Sequence, residues 1–136
     1  MKNVLKVSAV CLYNPAGELL TVRKNGTSKF MHPGGKPEPG ESAVAAAARE
    51  LLEETGLAVS VDELELLGVW TAAAANEVDT DIEATVFTAA GVWDPSAVSA
   101  AAEIAELRWL DPAAAHSHDD LAPLLTEHVL PALRAS

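Results

Sequence analysis

Glu50, Glu53 and Glu54 stand at i, i+3 and i+4 in a run dominated by alanine, leucine and glutamate. On a helix that spacing makes the three carboxylates neighbours on one stripe. At about 4 Å each pair repels by roughly 1 kcal/mol in water, and by more near a protein surface. A divalent cation removes the conflict. Hard oxygen donors suit Mg²⁺, with Mn²⁺ as an alternative, rather than zinc. The plainer reading is a solvated acidic face on which Arg49 pairs with Glu53 at i+4. Just upstream runs Pro33-Gly34-Gly35-Lys36-Pro37-Glu38-Pro39-Gly40-Glu41. Two adjacent glycines let main chain approach a ligand closely and leave a carbonyl free as a further oxygen donor. A tight turn without a ligand would use the same residues.

Something must hold that stripe in place. Residues 42–55 read as a helix, with Gly56 where a C-terminal cap belongs and Glu41 and Ser42 at the start. At about 100° per residue, Val44, Ala45, Ala48, Leu51, Leu52 and Thr55 form an apolar face, with the glutamates opposite. Residues 4–13 read as a strand, Asn14-Pro15-Ala16-Gly17 as a turn, and 18–23 as the second strand of a hairpin-like pair. Residues 25–40 are loop. A strand is expected within 59–73, another at 81–90 and a short one at 105–110, after a Pro- and Ala-containing connection at 94–102. A closing helix is expected at 119–130, with Pro123 near its start. Strands before, between and after two helices indicate an α/β domain with a mixed sheet.

The chain has 136 residues and 49% apolar residues, enough for one globular domain spanning 1–136. Its net charge of −11 argues against nucleic acid or an anionic membrane as partner. Arg23, Lys24, Lys29 and Lys36 nevertheless gather just before the acidic helix, an arrangement for an anionic ligand bridged by cations. No stretch reaches the roughly 20 apolar residues of a membrane span, so a soluble cytoplasmic protein is expected. The single cysteine, Cys11, sits in an apolar run and reads as a small buried hydrophobe.

Taken as one pattern, the segment is Gly35, five residues, Glu41, seven residues, Arg49-Glu50-Leu51, one residue, Glu53-Glu54, one residue, Gly56-Leu57. This resembles the Nudix box of the MutT-like Nudix hydrolases at every defined position. Phe30-Met31-His32-Pro33 is similar to the lead-in of that box, and Glu103-Ile104-Ala105-Glu106-Leu107-Arg108-Trp109 to a late strand of many members. The resemblance implies an α/β/α sandwich and Mg²⁺-dependent hydrolysis of a nucleoside diphosphate linked to another group. It implies that Glu50 and Glu54 are the main metal ligands, that Glu53 is a ligand or base, and that Arg49 orients the glutamates. Glu41 would be a supporting residue, and the Gly35 region would lend a carbonyl. Glu103, six residues before Trp109, is a candidate for the metal or base role.

Outside the box, Arg23 and Lys36 are candidates for phosphate contact, and Phe30 for stacking on a base, with core packing as its alternative. His32 could touch substrate. Trp93 and Trp109 read as core, and His116 and His118 as a solvated helix start. A nucleotide-type small molecule is the expected partner, and a homodimer is possible. The alternative function is a module that senses a nucleotide derivative without cutting it, but such domains usually lose box glutamates, and Glu50, Glu53 and Glu54 are all present. Prenyl diphosphate isomerisation would need a cysteine later in the chain than Cys11.

Overall fold

The computed structural model describes residues 3–135. Strand β1 (Asn3–Tyr13) alternates strictly at its inner end. Val10 and Leu12 point to one face and Ala9 and Cys11 to the other, and all four are buried. A strand buried on both faces must be central. Accordingly β1 pairs in parallel with β5 (Thr80–Val92), which pairs antiparallel with the edge strand β4 (Leu64–Ala73). On its other side β1 meets β2 (Leu19–Lys24) only at Tyr13 and Leu19. The two then diverge, so the expected hairpin is a hairpin only at its base. The gap takes a two-residue strand, β3 (Gly34–Gly35), which pairs with Ser8 and Ala9 of β1. Strand β2 pairs along its length with β6 (Ile104–Leu110). The order is β4-β5-β1-β2-β6, a mixed sheet.

Helix α1 (Ala43–Thr55) begins at Ser42, whose hydroxyl accepts from the Ala45 N–H, and ends at Gly56 in the left-handed region (φ 76°). It covers one face of the sheet, packing Ala47 and Leu51 on Val10, Leu12 and Leu20. The opposite face is covered by the closing helix, whose Leu124, Leu125, Val129 and Leu130 pack on Ala9, Cys11 and Leu19. Helix, sheet, helix is the α/β/α sandwich that the resemblance implied. No helix among the described residues is long and apolar enough to cross a membrane.

Two further expectations need correction. The closing helix starts at Pro123, not residue 119, because Asp119–Leu121 are used in tertiary contacts: Phe30 donates to the Asp120 carbonyl and bridges to Leu121. It opens with a π-helical turn (Leu125–Val129) in which Leu130 N–H donates to the Leu125 carbonyl, and continues as α2 (Leu130–Ala135). Pro131 explains the widening, since it has no N–H to give the preceding turn and its ring crowds the carbonyl four residues back. The strand expected within 59–73 is β4, preceded by a short 3₁₀ turn (Val61–Glu63) fixed by a reciprocal Ser60–Glu63 cap. On α1 the buried face is Ala46, Ala47, Leu51, Glu54 and Thr55, while Leu52 is exposed. Glu54 lies about 20° from Ala47 and about 60° from Leu51 around the axis. It therefore sits on the sheet-facing side, not on the solvent stripe with Glu53.

Candidate active site

The turn before α1 and the first half of the helix are tied together by Arg49. Its Nε and Nη2 donate to the two carboxylate oxygens of Glu41, both at 2.9 Å, a bidentate fork. Nη2 also donates to the Lys36 carbonyl at 3.1 Å, and Nη1 to Glu50 Oε1 at 2.8 Å. Glu53 is reached only at 3.4 Å and Glu38 at 3.3 Å. The expected Arg49–Glu53 pair is thus the weaker part of a larger hub. Hydrogen bonds from Arg49, before all else, hold the Glu41 carboxyl down at about 2.

Glu54 has the opposite surroundings. It is 1% exposed, and Oε1 accepts from Gly34 N–H at 2.9 Å, while Oε2 is buried with no hydrogen-bond partner. Burial pushes its carboxyl up to about 7, against the opposing pull of the Gly34 N–H and of Lys24, while Glu50 and Glu103 add to the rise. The Gly34 backbone hugs β1, where a Cβ would collide with the Ser8 carbonyl and lie 2.8 Å from Ala9 Cα. At Gly35 a Cβ would come within 2.5 Å of the Glu50 carboxyl carbon. Gly34 is therefore required by its approach to the β1 backbone, and Gly35 leaves the room that the Glu50 carboxylate occupies.

These groups open onto a cleft of about 650 Å³. Gly34, Gly35, Lys36, Arg49 and Glu50 line it from the box, and Lys24 and Glu103 from the ends of β2 and the β6 lead-in, paired at 3.4 Å. The far wall is formed by β1, by Ile82, by Leu124 and by residues 73–77 after β4. Of the expected site residues, Gly35, Lys36, Arg49, Glu50 and Glu103 meet here, with Glu54 buried against Gly34 beneath them. Glu53 is half exposed and does not line the cleft.

Arg23 does not line it either. Its guanidinium donates to the Thr27 carbonyl at 2.8 Å and to Glu106 at 3.3 Å. Phe30 is corrected from base stacking to core. It is 2% exposed, and the Arg108 guanidinium lies 3.7 Å above its ring, itself held in a bidentate pair with Asp120. A ring closed off in this way has no face to offer a ligand. Cys11 is wholly buried with its thiol pushed up to about 12, consistent with packing and not nucleophilic chemistry. Trp93 and Trp109 are partly buried against the α1-side core. His118 lies beside Arg108 at 3.5 Å.

Sequence reading placed Lys24 in the basic cluster but chose Arg23 over it for phosphate contact, and passed over Ser8 and residues 73–77. Lys24 was visible as the second of two adjacent cations, and strand alternation decides between them. The other residues carry no local signal, because only the fold brings them to the cleft.

The donors fit a hard divalent cation in kind: carboxylates, a backbone carbonyl in a cradle that admits no Cβ, and one buried carboxylate oxygen without a partner. As they stand, no three acidic, His or Cys side chains among the described residues converge closely enough to grip an ion. Arg49 engages Glu50 Oε1 and the Gly34 N–H engages Glu54 Oε1, which leaves Glu54 Oε2 as the buried oxygen without a partner.

A family profile described as the NUDIX domain matches residues 2–133. The chain belongs to the NUDIX domain family. A Bacillus subtilis (strain 168) protein provisionally named 8-oxo-dGTP diphosphatase is 45% identical over 47 residues, which are 35% of this chain and 32% of that protein. Phosphatase NudJ of Escherichia coli (strain K12) is 35% identical over 68 residues, 48% of this chain and 44% of NudJ. The chain thus matches less than half the length of these curated relatives. The crystal structure of the MutT protein from Methanosarcina mazei Go1 superposes over 98% of this chain and 93% of its own, with a TM-score of 0.75 at 23% identity. That level of identity bears on the fold.

Proposed function

We propose that this Nudix domain is a divalent-metal-dependent hydrolase, with Mg²⁺ or Mn²⁺, that splits the diphosphate linkage of a nucleoside diphosphate carrying another group. The observation that carries this reading is Glu54: a buried carboxylate with one unpartnered oxygen, bonded to the N–H of Gly34, which lines the cleft together with Gly35 and Glu50. An unpartnered buried carboxylate is costly to keep. Its retention is explained if a cation completes it.

Glu50 and Glu54, with the Gly35 carbonyl, would hold the ion. Bound there, it supplies charge neutralisation and Lewis acidity to the diphosphate. Arg49 orients Glu50 through Nη1 and anchors the whole helix turn to Glu41 and Lys36. Lys24 and Lys36 bring positive charge to the cleft for phosphate oxygens. Glu103 is better placed than Glu53 to take the proton from the attacking water, since it lines the cleft and Glu53 does not. Lys24 Nζ lies 3.4 Å from the Glu103 carboxylate and holds it at the cleft. The B. subtilis name points to an oxidised nucleoside triphosphate, which belongs to the class proposed here, and the NudJ name to a phosphatase activity.

The test is incubation of purified protein and MgCl₂ with nucleoside triphosphates, 8-oxo-dGTP, ADP-ribose, dinucleotides and sugar nucleotides, reading phosphate and nucleoside monophosphate release. Hydrolysis that stops on chelation supports the proposal. No turnover of any compound, with tight binding of one, would replace it with the sensor reading.

A further inference from the structure

Beyond the phosphate end, the cleft continues onto the other face of the sheet. Val7 and Ala9 of β1 and Ile82 of β5 form its floor there, and Leu124 of the closing helix its wall. Not one Phe, Tyr or Trp lines the cleft. Two cleft-lining side chains carry a buried polar atom without a hydrogen-bond partner, Ser8 through its Oγ and His32 through its Nε2, and only the imidazole is a planar group that can meet a heterocycle edge to edge. His32, two residues after the core ring Phe30, is 4% exposed, lines the cleft, and has its Nε2 buried without a hydrogen-bond partner. None of the steps proposed above uses it.

We propose that His32 is a specificity-determining residue, whose Nε2 hydrogen-bonds an uncharged polar edge of the substrate's nucleobase, seated in the chamber made by Val7, Ala9, Ile82 and Leu124. This rests on the hydrolase reading for the phosphate end and adds the class of group at the other end. A buried imidazole nitrogen without a partner is an unmet cost until a ligand supplies one. Burial also pushes the His32 imidazole down to about 4. It is therefore neutral at pH 7 and suited to a neutral N–H or carbonyl, not to a phosphate. A flat heterocycle meets aliphatic walls on its faces and the His32 nitrogen at its edge. A sugar inserted there would leave several hydroxyls unpartnered, so the chamber selects the base.

Nucleoside monophosphates carry the base but no diphosphate, so their binding is measured independently of turnover. Calorimetry with MgCl₂ compares AMP, GMP, CMP and UMP with ribose 5-phosphate. At least one monophosphate binds about tenfold or more tightly than ribose 5-phosphate. His32→Leu removes most of that advantage and leaves ribose 5-phosphate unaffected, and His32→Gln restores part of it. In wild-type protein, the His32 ring nitrogen signals in an NMR titration shift with the preferred monophosphate and stay fixed with ribose 5-phosphate. That measurement decides the matter even where His32→Leu fails to fold. Equal binding of all five ligands, an unmoved His32 signal, or a folded His32→Leu with its full preference would overturn the assignment. A protein that binds a monophosphate through His32 yet cleaves nothing would sink the hydrolase reading and leave this one standing. Hydrolysis indifferent to His32 would do the reverse.

Discussion

Glu41 and Glu54 sit at opposite ends of one loop-helix unit and are driven in opposite directions. Glu41 is gripped by both arms of the Arg49 fork and held at about 2, while Glu54 is buried beneath the cleft and pushed up to about 7. The first is complete within the protein. The second has one oxygen satisfied by a backbone N–H and one left over. The contrast separates two uses of a carboxylate: one that ties the chain to itself, and one reserved for something the chain does not contain.

The largest break in that comparison comes from Glu54→Gln. On the proposed reading kcat falls by about 100-fold or more, of the order expected when a key acidic group is lost. Metal-free stability at pH 8 should rise, because a neutral amide replaces a buried charge; kinetics and thermal melts in EDTA check the two halves. Near-normal turnover would show that Glu54 is merely a buried acid.

Gly35→Ala probes the same side with a single methyl. The new Cβ falls on the Glu50 carboxylate, the mobile end of a side chain, so the fold yields and the carboxylate moves. Activity should drop about tenfold, since displacement of a positioned group by about 1 Å has costs of that order or larger, with the melting temperature nearly unchanged.

Arg49→Lys tests the first carboxylate. Lysine cannot reproduce the fork to Glu41 while also holding Glu50. Turnover should fall several-fold, and the acid titration of Glu41, followed by NMR, should move up towards its ordinary range.

The pH dependence of metal-free stability sharpens the contrast through a third group. Folded Glu54 keeps its proton up to about 7 but releases it near 4.5 when unfolded, so stability falls as pH rises across that interval. His32 behaves the other way. Unfolded it takes a proton below 6.5, folded only below about 4, so stability falls as pH drops through that range. Each amounts to roughly 3 kcal/mol at most. Denaturant curves should therefore show near-cancellation between about 4.5 and 6.5 and a loss above it. Glu54→Gln should uncover the rising slope due to His32 alone.

The smallest effect is expected from Arg23→Ala. Arg23 does not line the cleft and its guanidinium is spent on the Thr27 carbonyl and on Glu106, so KM should change by less than about twofold, as for an exposed pair. A large rise in KM would return Arg23 to the phosphate site.

Sequence alone determined the helix from its alanines, its serine start and Gly56, the strands from their alternation, and the family from fixed residue types between Gly35 and Leu57. These are local properties, set by spacing along one element or one continuous segment. Which of the three glutamates is buried was not among them. The 100° step places Glu54 close to both faces of α1, and only packing on β1 and β3 decided for the inside. Likewise the sequence showed Arg23 next to Lys24 and Phe30 two residues before His32, but not which of each pair reaches the cleft. Register with β6 and the Arg108–Asp120 pair turned Arg23 and Phe30 away. Burial, and the titration that follows from it, is a sum over neighbours far apart in the chain. It takes a value only once the sheet has closed.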